Sequence, residues 1–306
     1  MKILLDFVVI AICVAGLWFG GTWVVQSATH IARRLGLSDL VIGLTVVAIG
    51  TSAPEFAVTI VAALESKASI SVGNVVGSNI FNLGFILGGL ALANAIRTSR
   101  SLVFREGAML AGSTFLLVFF MRDLTMDRIE GLVLLALLVV YVIYLLSQRE
   151  VPSEDIPDGD FTWVDIPRLV AGLLALVLSG HFLVESAADL ARLFGLSEWA
   201  IGVTIVAIGT SAPEIATSGI ALLRGNHGLS AGNLIGSDLF NLLGVLGLAA
   251  FISPMRLDSE AQGSVLLLAG MVVLVVVMMR TGWRLSRTEG AVLVAINALR
   301  WILDFS

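Results

Sequence analysis

The sequence predicts an all-α membrane protein with ten transmembrane helices arranged as two inverted five-helix repeats. Three observations predict it. The chain is 58% hydrophobic and 13% charged over 306 residues, with a mean hydropathy of +0.99; an average soluble domain carries about 25% charged residues. Ten apolar runs can be read between charged or glycine/proline breaks. The second half of the chain repeats motifs of the first at one fixed offset, the one that carries Glu55 onto Glu214.

The expected spans are 4–28, 40–64, 71–95, 103–121, 128–147, 165–190, 199–223, 229–252, 262–279 and 287–304. Runs this long and apolar need lipid as their solvent. The first has the look of a signal peptide, with Lys2 before an apolar stretch, but a counterpart near residue 180 argues for a span that is retained. Between the fifth and sixth runs lies an acidic stretch with Glu150, Glu154, Asp155, Asp158 and Asp160. The expected domains are therefore a first five-helix repeat (1–148), an acidic cytoplasmic linker (149–165) and a second, inverted repeat (166–306). Five spans per half is an odd number, so the second half enters the membrane from the opposite side. With the amino terminus outside, the loops on the inner side hold eleven arginines, against seven lysines and arginines on the outer side, the bias expected of cytoplasmic loops.

Composition also excludes classes. The net charge of −5 is spread out and no basic motif occurs, so nucleic acid is not an expected partner. Cys13 is the single cysteine, so no internal disulfide can form. His30, His181 and His227 are scattered, which argues against a zinc or copper site.

The repeat carries the chemistry. Residues 42–55 read IGLTVVAIGTSAPE and 201–214 read IGVTIVAIGTSAPE, identical at twelve of fourteen positions. Residues 73–82, GNVVGSNIFN, match 232–241, GNLIGSDLFN. Glu55 and Glu214 fall near the middle of their spans, where a charged group costs about 2.5–3.5 kcal/mol on insertion scales. Two such carboxylates brought face to face without a nearby lysine or arginine require a cation or protons. Pro54 and Pro213 remove a backbone donor each, predicting a broken helix whose freed carbonyls, of Gly50 and Gly209, line a cavity. Ala48, Thr51, Ser52, Glu55 and Thr59 share one side, as do Ala207, Thr210, Ser211, Glu214 and Ser218. Asn74, Ser78 and Asn82 form a stripe at four-residue steps, repeated by Asn233, Ser237 and Asn241. Carboxylate, amide and hydroxyl oxygens suit calcium and sodium.

The paired GTSAPE and GN-x-x-GS-x-x-x-N segments resemble the alpha repeats of the cation/calcium exchanger superfamily, in its prokaryotic sodium/calcium exchanger branch. The resemblance implies Glu55 and Glu214 as shared ligands of calcium and sodium, and Thr51 and Thr210 as backbone ligands of calcium. It places Ala48, Ser52, Ser78, Asn82, Ala207, Ser211, Ser237 and Asn241 around sodium. Exchangers of this branch often carry aspartate where this chain has Asn241. Asp238, one helical turn earlier and opposite Asn79, either restores that charge or is hydrogen-bonded at the cavity edge.

The resulting expectation is a secondary antiporter that exchanges Ca2+ for Na+ by alternating access. Proton-coupled or potassium-dependent calcium exchange is the alternative. No cofactor and no obligate protein partner are expected, and Ca2+, Na+ and the lipid bilayer, with H+ or K+, complete the partners. The expected location is the prokaryotic inner membrane, multi-pass. A channel fits the inverted repeat poorly. A hydrolase fits worse, because Gly50-Thr51-Ser52-Ala53-Pro54 lacks the closing glycine of a nucleophile elbow.

Overall fold

The protein is described by a computed structural model over residues 2–147, 161–193, 207–257 and 259–304. Most of the expected linker, and the 201–206 portion of the second motif, lie outside the described residues.

The described chain is helical apart from four two-residue strands. Its helices are α1 (Lys2–Leu35), α2 (Asp39–Thr51), α3 (Ala53–Leu64), α4 (Ala68–Ala93), α5 (Leu102–Asp123), α6 (Arg128–Ser147), α7 (Asp165–Leu193), α8 (Ala207–Thr210), α9 (Ala212–Leu223), α10 (His227–Ile252), α11 (Ser259–Arg280) and α12 (Arg287–Asp304). Seven are long and apolar enough to cross a membrane, and the pair α2–α3, bent by 52°, makes an eighth. Two expected spans fall short of that measure. α12 is diluted by Arg287, Glu289, Arg300 and Asp304, and the 199–223 run is described only from residue 207.

Burial sorts the helices. In α4 and α10, 72% and 78% of the most apolar stretch is buried; in α1 and α6 the shares are 17% and 22%. The motif-bearing helices therefore form the centre, while α1 turns Leu4, Ile12, Trp18 and Phe19 outward, as helices solvated by lipid do. α1 packs along α7. A Cβ on Gly20 would stand 3.0 Å from the Gly172 carbonyl, and one on Gly172 2.9 Å from the Gly20 carbonyl. Only small residues permit that approach.

The offset of the sequence repeat recurs in the backbone. Leu124 and Trp283, which it relates, both adopt left-handed φ, 57° and 53°. Ser66 and Gly225 do likewise, at 59° and 77°. β1 (Ile96–Arg97) pairs antiparallel with β4 (Arg284–Leu285), and β2 (Thr125–Met126) with β3 (Met255–Arg256). Each ribbon thus joins one half of the chain to the other.

Candidate cation site

The site is built where α3 and α9 begin. α2 stops at Thr51 because Ser52 leaves helical geometry (φ −78°, ψ 12°); Ser211 does the same before α9 (φ −88°, ψ 8°). Pro54 and Pro213 then sit in the first helical turn, where a missing N–H is harmless. The proline break expected from the sequence is therefore a helix restarted at serine. Glu55 and Glu214 occupy those same first turns, at the end of the helix that favours negative charge.

Ser-Ala-Pro-Glu has the spacing of a capping box, yet neither serine caps its own helix. The partners are exchanged across the halves. Ser52 Oγ donates to Glu214 Oε1 at 3.3 Å and Ser211 Oγ to Glu55 Oε1 at 3.2 Å. Both glutamates are 1% exposed. Thr51 stands beside Glu214 and Thr210 beside Glu55. Ser237 Oγ donates to Glu214 Oε1 at 3.3 Å, and Thr51 Oγ1 donates to Asn233 Oδ1 at 3.2 Å.

α4 and α10 supply the rest. Asn74 Nδ2 donates to Thr59 Oγ1 and Asn233 Nδ2 to Ser218 Oγ, both at 2.9 Å, so these two amides tie neighbouring helices. Asn82 Nδ2 donates to Asp238 Oδ1 at 3.0 Å, Asn79 Nδ2 to the Asp238 carbonyl at 3.0 Å, and Asn241 Nδ2 to Asn79 Oδ1 at 3.2 Å. Ala48 is buried against Gly236, and Ser78 is buried on α4. The side chain of Ala207 lies outside those described.

Five buried oxygens here lack a donor: Glu55 Oε2, Glu214 Oε2, Asp238 Oδ2, Asn82 Oδ1 and Asn241 Oδ1. Among the described residues no ion pair involves the three acids, and no group of three His, Cys, Asp or Glu gathers as a metal centre. Carboxylate, amide and hydroxyl oxygens are the ligand types that hard cations take.

Sequence reading missed Asn297 and Gly84. α4 is interrupted by a π-helical turn, Asn82–Leu87, and Asn297 of α12 donates its Nδ2 to the Ile80 carbonyl beside it at 3.1 Å. A Cβ on Gly84 would overlap Asn297. A lone amide inside the apolar run of α12 was the available signal.

Comparison with known proteins gives the family and a matching fold. The family described as sodium/calcium exchanger protein matches residues 5–147 and 166–299. CaxA of Alkalimonas amylolytica is 38% identical over 88% of this chain and 89% of its own. The sodium/calcium exchanger MaX1 of Methanosarcina acetivorans is 30% identical over 95% of this chain and 96% of its own. A solved structure of the sodium-calcium exchanger NCX_Mj, soaked with Na+ and Sr2+, superimposes with a TM-score of 0.85 at 27% identity, covering 97% of this chain and 98% of that one.

Proposed function

We propose, from the premise that the chain belongs to the sodium/calcium exchanger protein family, that it exchanges Ca2+ for Na+ across the prokaryotic inner membrane by alternating access. Membership makes it a multi-pass cation/calcium antiporter, with ions as its substrates. Sodium as counter-ion, the ten-span inverted architecture with its boundaries at 148 and 166, and the outward amino terminus belong to the proposal.

One observation carries the reading: the serine–glutamate exchange between halves, which leaves Glu55 Oε2 and Glu214 Oε2 buried without donors. Two carboxylates held this way repel each other, and a shared cation removes the repulsion. Ca2+ and Na+ compete for the same oxygens, Glu55, Glu214, Ser52, Ser211, Ser78, Ser237, Asn82, Asn241 and Asp238 with the carbonyls near Thr51, Thr210, Ala48 and Ala207. Competition couples the fluxes if the site resists switching while its charge is unbalanced. The recurrence of local backbone at the repeat offset supports the inverted repeat, because the same break serves the site from both halves.

Calcium uptake into sodium-loaded vesicles tests it. Wild type should take up calcium in proportion to the outward sodium gradient, and Glu55→Gln and Glu214→Gln should each fall to background. Uptake insensitive to sodium but driven by a pH gradient would reassign the counter-ion to protons. Full activity in either variant would overturn the site.

A further inference from the structure

The two ribbons share one frame but carry different charge. In β1–β4, Arg97 stands directly opposite Arg284. Like charges facing across a strand pair are unfavourable unless something negative lies between them. In β2–β3 the matching pair is Thr125 and Arg256.

More arginines converge on the first ribbon. Arg280 and Arg100 both lie over the Trp283 ring, at 4.5 and 5.7 Å from its centroid, and Arg280 also lies 5.6 Å from the Phe104 ring. Trp283 holds a left-handed φ of 53°, and its carbonyl accepts from the Thr98 amide at 3.0 Å, which fixes the shelf. Arg97, Arg100, Arg280, Arg284 and Arg287 are exposed. None of the five enters an ion pair among the described residues. Glu289 feels the charge of Arg284 without forming an ion pair with it, and its oxygens accept from Ser286 and Thr281. At the other ribbon, the positions related by the repeat offset keep arginine for Arg97 and Arg287, as Arg256 and Arg128, but carry Ser259 for Arg100, Met121 for Arg280 and Thr125 for Arg284, and Asp123, Asp127 and Glu130 lie close by in the chain.

From this contrast we infer that the β1–β4 end of the molecule is a docking surface for anionic phospholipid headgroups. Guanidinium groups fork onto phosphate oxygens and stack on aromatic faces at the same time. Trp283 is a ring type that settles at a bilayer interface, so the arginines it carries stand at headgroup level. A headgroup phosphate between Arg97 and Arg284 removes the repulsion that the register imposes. The surface lies apart from the cation site and does not depend on which ion is carried.

The test uses the full chain in nanodiscs of phosphatidylcholine with and without phosphatidylglycerol, with retained lipid counted by native mass spectrometry and unfolding followed by heating. Phosphatidylglycerol should bind and stabilise the wild type, and inorganic phosphate added to phosphatidylcholine discs should not substitute for it. Arg97→Gln/Arg284→Gln should weaken phosphatidylglycerol binding about 30-fold, from the worth of one basic residue at an anionic surface taken twice. Arg122→Gln/Arg256→Gln, at the opposite ribbon, should change it less than threefold. If the first double variant unfolds, Trp283→Leu reads the same surface through loss of the shelf. Equal lipid retention by both double variants, or stabilisation indifferent to headgroup charge, would overturn the inference and leave the arginines to the acidic segment of residues 148–160.

Discussion

Asp238 is the residue on which the charge of the site turns. It is buried, it accepts one bond from Asn82, and its second oxygen has no donor. The position one turn later holds Asn241, whose own Oδ1 is also without a donor. Asp238 therefore puts a carboxylate one turn before Asn241 on α10, on the side bonded to Asn82 of α4. Two readings are open, restored charge or a hydrogen-bonded cavity edge; Asp238 shows both an Asn82 bond and a free oxygen, and the variants below separate them. Asp238→Asn should raise the sodium concentration for half-maximal calcium exchange about tenfold, in line with loss of a charge-assisted interaction worth roughly 1.5–3 kcal/mol. Adding Asn241→Asp should recover most of it, because the charge returns to the same helix face. Sodium titration of calcium flux in the single and double variants decides. A single variant with unaltered sodium dependence makes Asp238 a structural group.

Helical elements were legible in the sequence wherever hydropathy marks them; 128–147 matches α6, whereas the run 4–28 stops short of α1, which continues to Leu35 through the polar turn that holds His30, Arg33 and Arg34. The polar cluster was legible for a different reason: its polar positions occur twice at one spacing, with the same residue except at Asn79/Asp238 and Thr59/Ser218, so neither half had to be interpreted alone. The interior irregularities were not legible. A π-helical turn depends on which carbonyls find partners after packing, and the turn at Asn82–Leu87 owes its partner to Asn297, far along the chain in α12. Position 138, which matches 297 at the repeat offset, is leucine, and it packs against Gly244 in the corresponding π-helical turn of the second half, Phe240–Val245. One turn is thus held by an amide and the other by a methyl group. Asn297→Leu keeps the volume and removes the donor, so the Ile80 carbonyl loses its side-chain partner. Amide exchange across residues 82–87 should accelerate about tenfold, on the scale of one buried hydrogen bond at about 1 kcal/mol or more. Sodium affinity should fall with it, since Asn82 opens that turn. Hydrogen exchange resolved by peptide measures the first effect, and unchanged protection would mean that the turn is set by its own sequence.

At the scale of the whole molecule the question is what moves. α4 and α10 are buried on most sides and tied to α3 and α9 by Asn74 and Asn233. α1 and α7 lie outside this centre, packed on each other through Gly20 and Gly172. Near one end of α1, Asn226 donates to Thr29 at 3.3 Å, a link to the rest, while His30 bonds Asp165 at 3.1 Å within the pair itself. A pair so joined can travel as one body against the centre, because it meets α8 and α9 through small residues, Gly21 against Ala216 and Gly180 against Gly209. Gly172→Leu would place a side chain where a Cβ already stands 2.9 Å from the Gly20 carbonyl and 3.0 Å from Val24. Overpacking of that kind costs about 1–3 kcal/mol and pushes the two helices apart. Calcium binding to the purified protein should stay within about twofold, since no ligand is touched, while exchange in vesicles should slow by about tenfold or more, since about 1.4 kcal/mol on a conformational barrier is a factor of ten. Binding by calorimetry beside flux in the same preparation separates the two. Loss of binding and flux in equal measure would show that the α1–α7 pair shapes the site itself and does not carry the motion.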